Sequence, residues 1–292
     1  MYTLLLTIIT AVAISSTEQA APELIAPGVV STTDGEYSPT YDPARGELVF
    51  MRRTPGRLDY TLYVSRRDGS GWTKPKVLPF SGTDRDGGAA FSPDGQRLLF
   101  DSERPDDRVA RRSINIWRVA RDGDDWGEPE LIEQASINDP TEPAAGRDEY
   151  GPTETPDGSI VFYSFRQPLR GGSLYAVTGD APAARSTTLP DPSAATFVAY
   201  LTMSTNNALA VIEGRNRAGR DTDLFFSCRA GDVWSTPMPL EAANSRSNDG
   251  TPYLTSDGKM LLFASERPTG DTRATVSSLY SIDLASLDLP CT

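Results

Sequence analysis

The sequence predicts an all-β fold: a β-propeller of four-stranded blades, closed by its own N-terminal strand. Three observations carry this. A unit of roughly fifty residues recurs five times, a fixed tight turn punctuates most copies, and the composition, with 24 Gly and 23 Pro in 292 residues, suits many short strands better than long helices.

The clearest copy runs from Arg85 to Ile132. It reads Asp86-Gly87, then Ser92-Pro93-Asp94-Gly95, then Leu98-Leu99-Phe100-Asp101-Ser102-Glu103-Arg104-Pro105, then Ile114-Asn115-Ile116-Trp117, and finally Trp126-Gly127-Glu128-Pro129. The last copy repeats it with Asp249-Gly250, Ser256-Asp257-Gly258, Leu261-Leu262-Phe263 through Arg267-Pro268, and Leu279-Tyr280. A third has Asp148-Glu149, Thr155-Pro156-Asp157-Gly158, Ile160-Val161-Phe162 and Leu174-Tyr175; the first has Asp34-Gly35, Leu48-Val49-Phe50, Leu62-Tyr63 and Trp72. The fourth, from Phe197 to Leu240, is the most degraded, with Thr205-Asn206-Asn207 in place of the Pro-Asp-Gly turn.

Each copy translates into a short inner strand, a turn, an apolar strand ending near Phe, a loop, a strand with Leu-Tyr or Ile-Trp, and an outer strand holding Trp-x-x-Pro. Pro presets φ in the turn, Asp caps it, and Gly accepts positive φ. The last copy stops after its third strand, while Pro22 to Pro27 resembles an outer strand. The N-terminus is therefore expected to complete the last blade and remove an open sheet edge.

These motifs resemble the WD-40-like propeller repeats of the TolB type over nearly all of residues 22 to 288. TolB-type propellers usually have six blades; five units are found here, so five blades are expected and six are the alternative. The resemblance implies a non-catalytic module that binds a protein or another extracytoplasmic ligand.

Histidine is absent, which excludes the Ser-His-Asp triad and every His-containing zinc site. A net charge of −12 argues against nucleic acid, which needs a basic footprint. The apolar stretch Leu4–Ile14, followed by small residues, reads as a signal peptide over residues 1–20 and is too short for an ordinary membrane span. A single propeller domain over 21–292, periplasmic or secreted, is expected, as a monomer without cofactor or metal. In such a compartment Cys228 and Cys291 are free to pair, and the sequence leaves open whether they do.

The start of each inner strand and the end of the second strand share one face. Two columns meet there: Asp34, Asp86, Asp148 and Asp249, with Glu36 and Glu149 beside them, and Arg53, Arg104, Arg166, Arg215 and Arg267. One reading makes them a copied structural clamp, since a packing device repeats with the unit whereas a functional site breaks the symmetry. The other makes them a ligand site at the channel mouth. Loop arginines Arg57, Arg108, Arg111, Arg112, Arg170, Arg217, Arg220 and Arg273 add a local basic patch and suggest an anionic small molecule, with a glycan or a protein as other partners. The aromatic column Tyr63, Trp117, Tyr175, Phe225 and Tyr280 is expected to pack. The expected function is a non-catalytic binding module; the alternative is a glycoside-hydrolase-like enzyme using channel-mouth carboxylates.

Overall fold

The computed structural model describes residues 21–53, 59–109, 113–133, 137–138, 148–165, 173–179, 184–185, 190, 195–216, 221–269 and 276–291; the segment 1–20, read as a signal peptide, lies outside them. They form a five-bladed propeller of five antiparallel sheets. Among the described residues the one helical element is a 3-10 turn at Leu284–Ser286.

The first blade consists of Glu36–Asp42, Glu47–Arg53 and Tyr60–Asp68, with outer pieces Gly71–Trp72 and Lys76–Val77. The second holds Asp86–Phe91, Arg97–Ser102 and Asn115–Asp122, with Asp125–Trp126 and Glu130–Leu131 outside; the third holds Glu149–Glu154, Ile160–Ser164, Ser173–Val177 and Ala184–Arg185. The fourth holds Ala195–Met203, Leu209–Asn216 and Thr222–Ala230, with Val233–Trp234 and Met238–Pro239 outside. The fifth holds Asp249–Leu254, Met260–Ser265 and Ser278–Asp283, and Glu23–Leu24 completes it by pairing with Ser281 and Tyr280. Closure by the N-terminus is as the sequence predicts.

The outer strand differs from expectation. It is broken where the sequence reads Trp-x-x-Pro: Trp72 pairs with Arg67, whereas Val77, beyond Pro75, pairs with Tyr63. Proline cannot donate to the ladder, so the strand leaves the sheet and rejoins it further along.

The turns follow their chemistry. Asp94 Oδ1 accepts from Ser92 Oγ at 2.5 Å and from Gln96 N–H at 3.0 Å, and Gly95 has φ +68°. In the fourth blade Asn206 takes the Asp role, accepting from Ser204 Oγ at 2.6 Å, and Asn207 takes the left-handed position at φ +57°. Asparagine tolerates that region, which is why the degraded copy still turns.

Each inner strand carries a register shift. In four blades the residue there is left-handed: Ser38, Gly88, Gly151 and Thr251, at φ +47°, +52°, +53° and +46°. Such bulges bend the strand and re-aim its side chains. Blades are stitched across their boundaries at this level: Thr40 Oγ1 accepts from Phe91 N–H at 2.9 Å, Thr202 Oγ1 from Leu254 N–H at 3.0 Å, and Thr251 Oγ1 from Ser38 N–H at 3.0 Å. Phe50, Phe100, Phe162 and Phe263 on four second strands, and Ile212 at the same place in the fourth blade, are fully buried. Phe50, Phe162 and Phe263 stack on Tyr63, Tyr175 and Tyr280 at 5.8 to 6.1 Å, so the aromatic column packs.

Candidate functional site

The repeated acid–base pairs are clamps. Arg104 Nη2 donates to Asp86 Oδ1 at 2.8 Å and to the Phe80 carbonyl at 3.1 Å; Arg267 Nη2 donates to Asp249 Oδ1 at 2.9 Å and to the Ala243 carbonyl. In the first blade the pair is Arg52 and Glu36, at 2.9 Å, with Val30 supplying the carbonyl. Each guanidinium also lies over two rings of the core: Arg52 on Phe50 and Tyr63, Arg104 on Phe100 and Trp117, Arg267 on Phe263 and Tyr280, all at 4.7 to 5.3 Å. A cation held on aromatic faces and satisfied by carboxylate and carbonyl seals the junction to the preceding outer strand.

Several sequence-based candidates therefore move. Asp86 and Asp249 are buried and bound, so they are not open to a ligand. Asp34 is exposed and outside the column; Glu36 holds its place, and Arg52 rather than Arg53 faces it, because the first blade puts arginine directly opposite the inner carboxylate. Glu149 starts the third inner strand and is buried, while Asp148 is half-buried and accepts from Ile114 N–H at 2.9 Å and Tyr150 Oη at 3.3 Å. Arg215 lies over Phe197 at 5.5 Å and makes no clamp of this pattern among the described residues. Arg166 lies outside the described residues, as do Arg57, Arg111, Arg112, Arg170, Arg217, Arg220 and Arg273. Arg108, the described loop arginine, is engaged by Asp106 and Glu133.

The symmetry breaks one layer further in. On each second strand, the residue opposite an aliphatic residue of the third strand (Leu62, Ile116, Leu174, Leu224 and Leu279) is Met51, Asp101, Tyr163, Glu213 and Ala264 in turn. Five chemically different side chains at one structural position, just inside the mouth, are what a functional site on a repeat requires. Asp101 is fully buried; Arg85 Nη1 donates to its Oδ1 at 2.5 Å and the Gly151 N–H to its Oδ2 at 3.0 Å. Glu213 accepts from the Thr251 N–H at 2.8 Å, and burial drives its carboxyl pKa up to about 7, against the opposing pull of that N–H and of Arg215.

Two glycines make room for these carboxylates. A Cβ on Gly88 would fall 2.0 Å from Asp101 Oδ2, and one on Gly250 would fall 2.5 Å from Glu213 Oε2. Tyr200 stands at the inner position where other blades have Gly88 or Gly151, and its ring passes so close to Gly151 that a Cβ there would meet it at 2.5 Å. It lines an axial cavity of about 20 Å3 with Ser38, Gly88, Gly151 and Thr251. That is room for about one water, so the axis is closed at this level.

Rings wall that mouth. Tyr163 lies 5.3 Å from Tyr150, 5.1 Å from Phe165 and 5.8 Å from Phe197, and Phe165 is 40% exposed. Burial raises the Tyr163 phenol, with Tyr150, Glu213, Asp101 and Asp148 adding to it; burial and the charges of Asp101 and Glu213 raise Tyr200. The three carboxylates and the rings thus share one electrostatic environment. Sequence reasoning passed over Asp101, Glu213, Tyr163 and Tyr200. The signal was present, as the residue after the recurring Phe changes character from copy to copy, but in the fourth copy Ile212 stands in place of that Phe and hid Glu213.

No family model matches the sequence, and no curated protein does. In fold the chain resembles a thermostable family-43 glycoside hydrolase at TM-score 0.58 and 9% identity, over 89% of this chain and 92% of that one. It also resembles a family-117 glycoside hydrolase of Zobellia galactanivorans (TM-score 0.55, 9% identity, 90% and 89% covered) and the catalytic domain of a Coprinopsis cinerea GH62 α-L-arabinofuranosidase (0.54, 13%, 90% and 96%). These likenesses show the fold; since the three propellers named are glycoside hydrolases, they tell against the expected non-catalytic binding module that is not an enzyme.

Proposed function

We propose that the chain hydrolyses glycosidic bonds at the axial mouth. The observation that carries this reading is Glu213: a buried carboxyl with a pKa near 7, at the position where the repeat loses its symmetry. A general acid works best with its pKa near the operating pH, and burial is the usual means of raising a carboxyl that far. Glu213 would protonate the departing glycosidic oxygen. Asp148, half-buried and hydrogen-bonded to Tyr150, is the second carboxylate, serving as base or nucleophile on the other side of the sugar. Asp101 is sealed from solvent and acts as a positioning residue, fixing Arg85 against Tyr150 and Tyr60. The rings of Tyr150, Tyr163, Phe165 and Phe197 offer flat apolar faces to a sugar ring.

The same reading puts the protein outside the cytoplasm, supported by the Leu4–Ile14 stretch and by the Cys228–Cys291 disulfide. The α-L-arabinofuranosidase among the similar folds makes aryl arabinofuranosides the first substrates to assay, within a panel of chromogenic glycosides. The expected result is turnover by the wild type and a loss of about 10²- to 10⁴-fold in Glu213→Gln. Equal turnover by the two proteins would reject the assignment.

A further inference from the structure

The boundary between the fifth and first blades differs from that between the first and second. At both, the chain leaving the outer strand is anchored by the same bond: Ile25 N–H to the Leu279 carbonyl at 2.8 Å, and Leu78 N–H to the Leu62 carbonyl at 3.0 Å. Two residues past the second anchor stands Phe80, whose ring lies 6.3 Å from Trp126, and Phe91 stacks on the same indole at 6.0 Å. Two residues past the first anchor stands Pro27. With no large ring in that place, a cavity of about 500 Å3 opens beside Trp72, within the range of small-ligand sites. The groove at Trp234 holds about 240 Å3, below that range.

The lining has two characters. Leu24, Ile25, Leu48, Met260 and Leu262 give an apolar floor. Trp72 and Tyr41 form an aromatic wall, their rings 5.9 Å apart at 67°, with Arg67 over the indole at 4.2 Å. Glu23, Ser70 and Ser281 bring a carboxylate and hydroxyls to the rim. Tyr41 and Met260 stand at the ends of their strands remote from Glu36 and Ser265, so this cavity opens on the face opposite the mouth. It cannot be a subsite of the Glu213 centre.

We propose that this cavity is a second carbohydrate site, which holds one ring of a polymeric glycan against Trp72. The ligand class rests on the glycan-acting reading of the mouth. A sugar offers a C–H face to the indole and hydroxyls to Glu23, Arg67, Ser70 and Ser281 at once. A lipid chain would cover the same floor but make no use of the carboxylate, guanidinium and hydroxyls at the rim, where Glu23, Arg67 and Ser70 are exposed. A site remote from the reacting centre would hold the polymer near the mouth and raise its effective concentration there.

The test uses the full chain carrying Glu213→Gln, so that binding is read without turnover. Affinity electrophoresis in a panel of plant and algal polysaccharides, then titration calorimetry with oligosaccharides of the one retained best, should find two sites in this protein. One site should remain after Trp72→Ala, with retardation by the polymer reduced at least 10-fold. Pro27→Phe supplies a ring two residues past the anchor, as Phe80 does, and should give the same loss without removing a core contact. Binding unchanged in both variants, no binding to any polysaccharide, or occupancy by a fatty acid in preference to sugar would each overturn the proposal. The binding readout stands whichever way the hydrolysis assay falls, so the two readings fail separately.

Discussion

Thr251 donates its backbone N–H to the Glu213 carboxyl at 2.8 Å, so the fifth blade's inner strand holds a buried acid of the fourth blade in place among the five side chains of its ring. The contact is made at a left-handed residue, φ +46° at Thr251, a conformation that costs a non-glycine residue of order 1 kcal/mol and persists where the surroundings impose it. Strained backbone and a buried acid therefore coincide at the mouth.

The first expectation concerns stability and pH. Glu213 has a folded pKa of about 7 against an ordinary 4.5. Below pH 4.5 the carboxyl is neutral folded or unfolded, and it takes nothing from stability. As pH rises through 4.5 towards 7 the unfolded chain ionises first, and the fold loses up to about 3 kcal/mol. Glu213→Gln has no proton to lose and should not show this loss. Urea midpoints at pH 4.5 and pH 8 for both proteins would measure it, and parallel pH profiles would contradict the assigned burial.

Catalysis should follow the same group with the opposite emphasis. A general acid must be protonated, so kcat/KM should fall on the alkaline side with a limb near pH 7. Arg215 lowers that carboxyl's pKa. Arg215→Gln should therefore move the limb upward, which a purely structural role for Arg215 would not do.

Gly250 is the neighbour that admits Glu213. A methyl group there would stand 2.5 Å from Oε2 and 2.8 Å from the carboxyl carbon, so Gly250→Ala must displace the acid. Overpacking of this kind costs about 1 to 3 kcal/mol, and a displaced acid costs far more in rate than in binding. A drop in kcat of at least 10-fold with KM nearly unchanged is expected.

The clamps should behave as structure alone. Arg104→Ala leaves Asp86, 1% exposed, with Ser81 Oγ as its side-chain partner at 2.7 Å. Removing one partner of a buried pair typically costs about 3 to 5 kcal/mol. The variant should melt much earlier than the wild type yet keep its kcat/KM at temperatures where it is folded; a selective loss of activity would return the clamp to the functional site.

How far the sequence speaks follows from what is copied. Turn chemistry, the Phe of the second strand and the Asp-to-Arg spacing recur, so blades, closure and the existence of a clamp were legible. The first-blade register slipped, because Glu36 and Arg52 replace the Asp and Arg of other copies and the adjacent Asp34 and Arg53 imitate them. Asp101 and Glu213 escaped for the converse reason: each occurs once, and a search for repetition passes over it. The cavity beside Trp72 depends on Pro27 standing where Phe80 does, a relation visible only once both anchoring bonds are known.

The last expectation tests the tie between the fourth blade and the chain end. Cys228, on the fourth blade's third strand, is bonded to Cys291, beyond the fifth blade, across 63 residues and with Cα atoms 5.3 Å apart. Both pack against the cluster of Leu209, Leu284 and Leu289, so the bridge fastens the last segment onto a core that it helps to cover. A closed loop of that length restricts the unfolded chain by about 4 kcal/mol in the chain-entropy model. Cys228→Ser/Cys291→Ser should therefore unfold at a distinctly lower denaturant concentration than the oxidised wild type, and reductant should shift the wild type alone. Because the bridge lies far from Glu213, turnover of an aryl glycoside below the transition should be the same in both; a wild type indifferent to reductant would mean that the loop is restrained by its packing, with the disulfide adding nothing.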